Sequence, residues 1–297
     1  MRTWCAGRRA LLASGDYDMY NDVKRECGQK GERMKRKICF GLVGSILAAG
    51  VLFGGYSEVS AAGNKMPELH EIGYPDTLQT TGDEYGADAF AHELDHSDSC
   101  YYVVNDYYNM ESNETLHIIP RFQTYQQTTE YTCGCAAAVM VLNHYSVNSY
   151  DEMQIAKLAG TDETKGTSVE GLRDFFLAAG FAVDCHADTN YRFDSIESCE
   201  EYFLQQIDAG NPIMVDWTDW GGHWQVVIGL DTCGTESPYD DVLILADPYD
   251  VTDHYQDGYY TYPFGRFFSM WREGACADKE IPYEQPFILA CPWPGQD

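Results

Sequence analysis

The order of its local patterns constrains this chain most: helical spacing comes first and β-rich runs come last. Behind the polar, turn-prone stretch that ends at Cys133 and Gly134, Ala136, Val139 and Met140 fall on one helical face. Asp151–Ala159 and Thr167–Ala179 read as short helices, the second capped by Thr167 or Ser168 and stopped at Gly180. Ser195–Ala209 is a further helical stretch, closed by Gly210 and Asn211. From Pro212 the texture changes. The runs PIMVDWTD, HWQVVIGLDT and DVLILADPYD are β-branched and apolar, separated by Gly-Gly, Cys-Gly-Thr and Asp-Pro. Residues 116–125, LHIIPRFQTY, alternate as a strand leading into the Cys133 loop, Gly265–Glu273 reads as a short helix, and Pro286–Ala290 as a closing strand. Helices followed by strands is the α+β order, a helical N-terminal half packed on an antiparallel sheet.

Residues 113–297 are the expected folded domain; the chain before them has a different texture. Lys35, Arg36 and Lys37 precede an apolar run from Ile38 to Gly54, and small residues at Val59-Ser60-Ala61 or Ser60-Ala61-Ala62 follow. That is the layout of a secretory signal peptide spanning residues 34–62, with residues 1–33 an upstream extension. The apolar run is glycine-rich and just below spanning length, so no stable membrane anchor is expected. Residues 63–112 are acidic and rich in Tyr, Gly and Asp, without regular period, as in a linker, a pro-region or an arm laid over the domain.

Charge narrows the partners. The formal charge is −28, and ten of the 19 basic side chains precede Gly63, so the remainder is more acidic than the whole. Nucleic acid and anionic membrane are excluded as partners on that ground, and a monomeric, secreted, extracellular protein fits it. Eleven cysteines are present, eight of them after the signal segment. If one is a nucleophile an odd number is left, and export makes disulfides plausible without fixing their pairing.

Chemistry concentrates at four positions. Cys133 stands at the first turn of a helix, where the positive end of the macrodipole favours thiolate over thiol. Gln127, six residues upstream, can bring a side-chain amide N–H to the same place, and with the Cys133 backbone N–H it makes a pair of oxyanion donors. His223 opens a strand directly after Gly221-Gly222, and Asp247 ends the next strand before Pro248. Two adjacent antiparallel strands bring that imidazole and carboxylate side by side, so that one ring nitrogen is held and the other faces Cys133. Gln126 competes with Gln127, and Asp231 with Asp247; spacing favours Gln127, and a position on a separate strand favours Asp247. Each residue alone has an ordinary explanation, as a buried cysteine, a strand histidine or a turn aspartate. Their order and local contexts together point to a thiol hydrolase.

QTTEYTCGCAAAVMVLNHY, GGHWQVVIGLD and LILADP resemble the three sequence blocks of the C39-like papain-type cysteine peptidases. The resemblance runs from about Glu114 to Ala290 and implies a papain-like fold. It implies Cys133 as nucleophile, His223 as general base and acid, Asp247 as the orienting carboxylate and Gln127 in the oxyanion hole. It also implies a peptide or amide substrate and no metal or organic cofactor. Cys135 departs from it, standing where relatives carry a small apolar residue.

Two other classes remain. One is a secreted domain that keeps this fold for binding without catalysis. The other is a zinc hydrolase at His92-Glu93-Leu94-Asp95-His96, whose HExxH spacing on a helix would set two imidazoles on one face with Glu93 as base. The deformylase-type ligand cysteine and the metzincin extension are both missing, and the segment is weakly patterned.

Overall fold

The structure, a computed structural model, describes residues 83, 85–89, 105–252, 255–273 and 282–293. The signal segment, the HExxH motif, Cys100 and Cys276 lie outside them.

Helix α1, Cys133–His144, is the axis of the domain. Every residue from Gly134 to Leu142 is buried, so the helix is enclosed on all sides and has no polar face, in contrast to the single stripe expected from spacing. Its small residues, Gly134, Cys135 and Ala136 to Ala138, are what let neighbouring elements come that close. Helices α2 (Glu152–Ala159) and α3 (Val169–Ala178) pack on α1 and on each other. Asp151 and Gln154 close a reciprocal capping box on α2, and Gly160 ends it at φ 69°. On α3 it is Ser168, of the two candidate caps, that accepts the Gly171 N–H. Helix α4, Ile196–Asp208, starts on a similar box between Ser195 and Ser198.

The sheet is antiparallel throughout. Strands β1 (Leu116–Ile118), β2 (Phe181–His186), β3 (Ile213–Trp217), β4 (His223–Asp231), β5 (Val242–Ala246), β6 (Tyr259–Pro263) and β7 (Phe287–Pro292) take the order β2-β7-β3-β4-β5-β6. The short β1 continues the edge that β3 makes with β4, pairing Leu116 to Ile118 with Asp231 to Gly229. Helix α5, Phe264–Met270, leads out of β6. The α+β order therefore holds, with two strands unread in the sequence. Strand β2 follows the helix stop at Gly180, and its outward residues are only half-buried, so no clean alternation marks it. Strand β6, YYTYP, ends on a proline, which its edge position tolerates. Residues 119–125 leave the expected strand because Pro120 offers no N–H and Arg121 turns at φ 55°.

The tightest crossing lies between α2 and α3. A Cβ added at Gly171 would sit 2.1 Å from the Ala159 carbonyl oxygen, a backbone atom that cannot swing aside. Gly171→Ala should therefore destabilise by about 3 kcal/mol, although alanine is intrinsically the better helix former by about 1 kcal/mol. Urea unfolding reads this directly. A midpoint at or above that of the parent would show that the two helices can separate at no cost.

Candidate active site

Strand β4 begins where the chain reverses through Trp220 (φ 50°), Gly221 (φ 93°) and Gly222 (φ 141°). Gly221 and Gly222 take the positive φ values cheaply, and they set His223 at the first rung of the strand, opposite Trp217 of β3. Alternation along β4 then puts His223 and Gln225 on one face and Trp224 on the other. Trp224 is the seat of α1. Its indole N–H donates to the Thr167 carbonyl at 2.9 Å, and a Cβ on Gly134 would meet its ring at 3.0 Å. The second residue of α1 is thus glycine because an indole lies against it.

Strand β5 pairs Ala246 with Val226, so Asp247 comes one step past the ladder, level with Gln225. Its Oδ1 accepts from His223 Nε2 at 2.7 Å and from the Tyr249 N–H at 2.8 Å, and its Oδ2 accepts from Gln225 Nε2 at 2.8 Å. All three side chains are buried. With Nε2 held by Asp247, Nδ1 is the ring nitrogen left over, and the Cys133 thiol lies near enough to interact with the ring. Burial pulls the imidazole pKa down. The Asp247 charge and hydrogen bond, with the Cys133 contact, outweigh burial and raise it well above the ordinary histidine value.

Cys133 itself is half-buried and is a free thiol, as are Cys135, Cys185, Cys199, Cys233 and Cys291. Thr132, the residue before α1, makes no side-chain cap; its hydroxyl turns to Glu152 instead. The helix tip around Cys133 thus keeps uncapped backbone N–H groups. Cys135 points away from this chemistry. It is fully buried between the Thr161 and Thr167 hydroxyls, at 3.2 and 3.4 Å, and burial pushes its thiol up to about 12.

The loop before α1 is held from below by Glu152, the first residue of α2. Its buried carboxylate accepts from the Thr128 N–H at 3.0 and 3.1 Å, from the Tyr125 hydroxyl at 2.9 Å and from the Thr132 hydroxyl. Burial raises its pKa, and those hydrogen bonds oppose the rise. Gln127 lies on this loop with one amide N–H given to the Thr129 carbonyl at 2.7 Å. Its Oε1 is buried and has no hydrogen-bond partner.

The competing residues have other work. Gln126 bridges the Asp247 carbonyl (2.9 Å) and the Asp250 N–H (3.1 Å), a strut for the Asp247 loop. Asp231 accepts the Cys233 N–H at 2.8 Å and shapes the turn after β4, at the far end from His223. So the structure brings together Cys133, His223 and Asp247, keeps Gln127 on the loop beside them in sequence, and removes Asp231. Gln225, Trp217 and Glu152 were not singled out in the sequence. The period-two spacing from His223 was a signal for Gln225; nothing local announced Glu152.

The arm residues Tyr85 to Ala89 pack against the same loops. Ala87 is fully buried, the Asp88 N–H donates to the Gln127 carbonyl at 3.2 Å, and the Tyr249 hydroxyl donates to the Tyr85 carbonyl at 3.2 Å. A cavity of about 650 Å³ elsewhere, lined by Arg121, His144 and Tyr150 among others, contains none of the four expected site residues.

Residues 119–278, more than half of the chain, match the model of the Peptidase_C39 like family. Among solved structures, the peptidase domain of Streptococcus ComA, a bi-functional ABC transporter involved in a quorum sensing pathway, is similar at 19% identity. That match covers 58% of this chain and 99% of that one, with a TM-score of 0.39. A double glycine motif protease from an AMS/PCAT transporter, solved with its leader peptide, is similar at 13% identity over 57% of this chain and 91% of that one, with a TM-score of 0.35. No curated protein matches the sequence.

Proposed function

The chain belongs to the Peptidase_C39 like family, and from that premise we propose that it is a secreted thiol hydrolase that cleaves peptide amide bonds. The observation that carries this reading is a buried imidazole with a carboxylate on Nε2 and a cysteine at a helix tip near the ring. Asp247 orients the ring and stabilises its cationic form; His223 and Cys133 work as an imidazolium–thiolate pair. The sulfur attacks the amide carbonyl carbon, a C–S bond forms, and the negative charge moves to oxygen. The Cys133 backbone N–H and the second N–H of Gln127 are the donors for that oxyanion. Collapse breaks the C–N bond as His223 gives its proton to the leaving amine, and a thioester remains. Water then attacks the thioester, His223 takes its proton, and the thiolate departs with the acid released. The protein groups these steps use, three side chains, the Gln127 amide and one backbone N–H, all belong to this chain. Export through the segment at residues 34–62 completes the proposal.

A mixed peptide library incubated with the purified secreted protein, read by mass spectrometry, tests it. New termini should form, iodoacetamide should stop their formation, and a metal chelator should leave it unchanged. Cleavage lost to the chelator and retained after alkylation would move the chemistry to the HExxH segment. No cleavage by intact protein would leave a binding domain.

A further inference from the structure

The bond between His223 and Asp247 is one link of a longer chain whose direction is fixed at its far end. Trp217 Nε1 donates to Gln225 Oε1 at 2.7 Å, and Gln225 Nε2 donates to Asp247 Oδ2 at 2.8 Å. An indole nitrogen can only donate, so Gln225 must present its oxygen to Trp217 and its amide group to residue 247. Trp217 and Gln225 are both buried, and water cannot take over either bond. At the other side of Asp247, the Tyr249 N–H and His223 Nε2 both approach Oδ1. Residue 247 therefore faces donors on every side and must accept at both oxygens.

We propose that Gln225 is a positioning residue that, locked by Trp217, makes this site accept aspartate alone and keeps one His223 proton fixed on Nε2, so that Nδ1 is the nitrogen that exchanges a proton with Cys133. This rests on the reading of Cys133, His223 and Asp247 as the reacting group, and it adds a restriction that the family order does not carry. Papain-like proteases also work with asparagine as the orienting residue, since an amide oxygen can hold the imidazole N–H. Here asparagine has no good orientation. With its oxygen toward His223, its amide group meets that of Gln225. Turning Gln225 over sets two donors against each other at Trp217. With the asparagine amide toward His223, it meets the Tyr249 N–H, and the ring must shift its proton to Nδ1, where it can no longer take one from Cys133. Asp219 Oδ2 lies 3.5 Å from Gln225 Nε2 and is the remaining carboxylate facing this group. Burial raises the pKa of Asp219, His223 opposes that rise and Asp247 adds to it.

The polarity is reversible by design, which makes it testable. In Asp247→Asn with Gln225→Glu, the new carboxylate accepts from Trp217 and from the asparagine amide, whose oxygen is then free for His223 and the Tyr249 N–H. The charge moves from position 247 to position 225, one link along the hydrogen-bond chain, and every donor regains an acceptor. Peptide cleavage should fall about 10³-fold or more in D247N and recover by about tenfold or more in D247N/Q225E, relative to D247N. Q225E alone, with two carboxylates facing each other, should be impaired. Nitrogen NMR of the His223 ring should report a proton on Nε2 in the parent and the double variant, whether or not Nδ1 is also protonated, and loss of the Nε2 proton in D247N. If D247N stays within a few-fold of the parent, or the double variant is no better than D247N in a folded protein, the polarity lock is wrong. If the parent cleaves nothing while its ring still shows the Nε2–H form that D247N loses and the double variant regains, the lock stands and the peptidase reading falls instead.

Discussion

Cys133→Ala is expected to abolish peptide cleavage, lowering kcat/KM by about 10⁴-fold or more, with the fold unchanged. The size follows from what is removed. Without sulfur no thioester can form, and the residual rate comes only from oxyanion donors and substrate positioning. The fold should survive because Cys133 is half-buried and shares no disulfide. Gly134, left unchanged by the substitution, is the residue whose bare Cα makes room for Trp224. A stability change of about 1 kcal/mol or less is expected. Circular dichroism and urea unfolding on the same preparation separate lost chemistry from lost structure. Cleavage retained at the parent rate would remove Cys133 from the mechanism.

A large effect on stability is also expected at Glu152. Its carboxylate is the shared acceptor for the Thr128 N–H, the Tyr125 hydroxyl and the Thr132 hydroxyl, all in the loop that delivers Gln127 and Cys133. Glu152→Ala leaves three buried donors facing a small void. A buried unsatisfied donor costs about 1–3 kcal/mol, and partial relaxation gives about 3 kcal/mol as the expected loss. Cleavage should fall as well, because the same loop leads into Cys133. Glu152→Gln keeps one acceptor oxygen, and the Thr132 hydroxyl can accept from the new amide, so it should lose less than the alanine variant. The sign of the ionisation agrees. Burial raises the Glu152 pKa, so keeping the charge in the folded state costs stability as pH rises above the unfolded carboxylate value. An alanine variant as stable as the parent, or a glutamine variant worse than alanine, would show that Glu152 does not organise this loop.

How far the sequence led depended on whether a feature was local or depended on register. Cys133 at a helix start, His223 after two glycines and Asp247 before a proline are local, and each lies where its context placed it. The helix stops at Gly180 and Gly210 were legible for the same reason: both take positive φ, which glycine alone adopts freely. Strands β2 and β6 were not, because edge and half-buried strands carry weak alternation. Helix α1 looked amphipathic from three residues yet is enclosed, since the side of it made by Gly134, Cys135 and Ala137 reads as neither polar nor strongly apolar. Gln225 acquires its meaning only when strand pairing puts Trp217 and Asp247 on either side of it. Glu152 acquires its own only when α2 folds under the Gln127 loop.

The pairing of one cysteine with one imidazole is most directly tested by the rate at which iodoacetamide modifies Cys133 at neutral pH, mapped by mass spectrometry. The expected result is fast modification of Cys133 in the native protein, slowed about tenfold or more by unfolding or by His223→Ala, with the buried Cys135 and Cys199 unreactive until the chain unfolds. Equal rates for Cys133 in the parent and in His223→Ala would contradict a working pair.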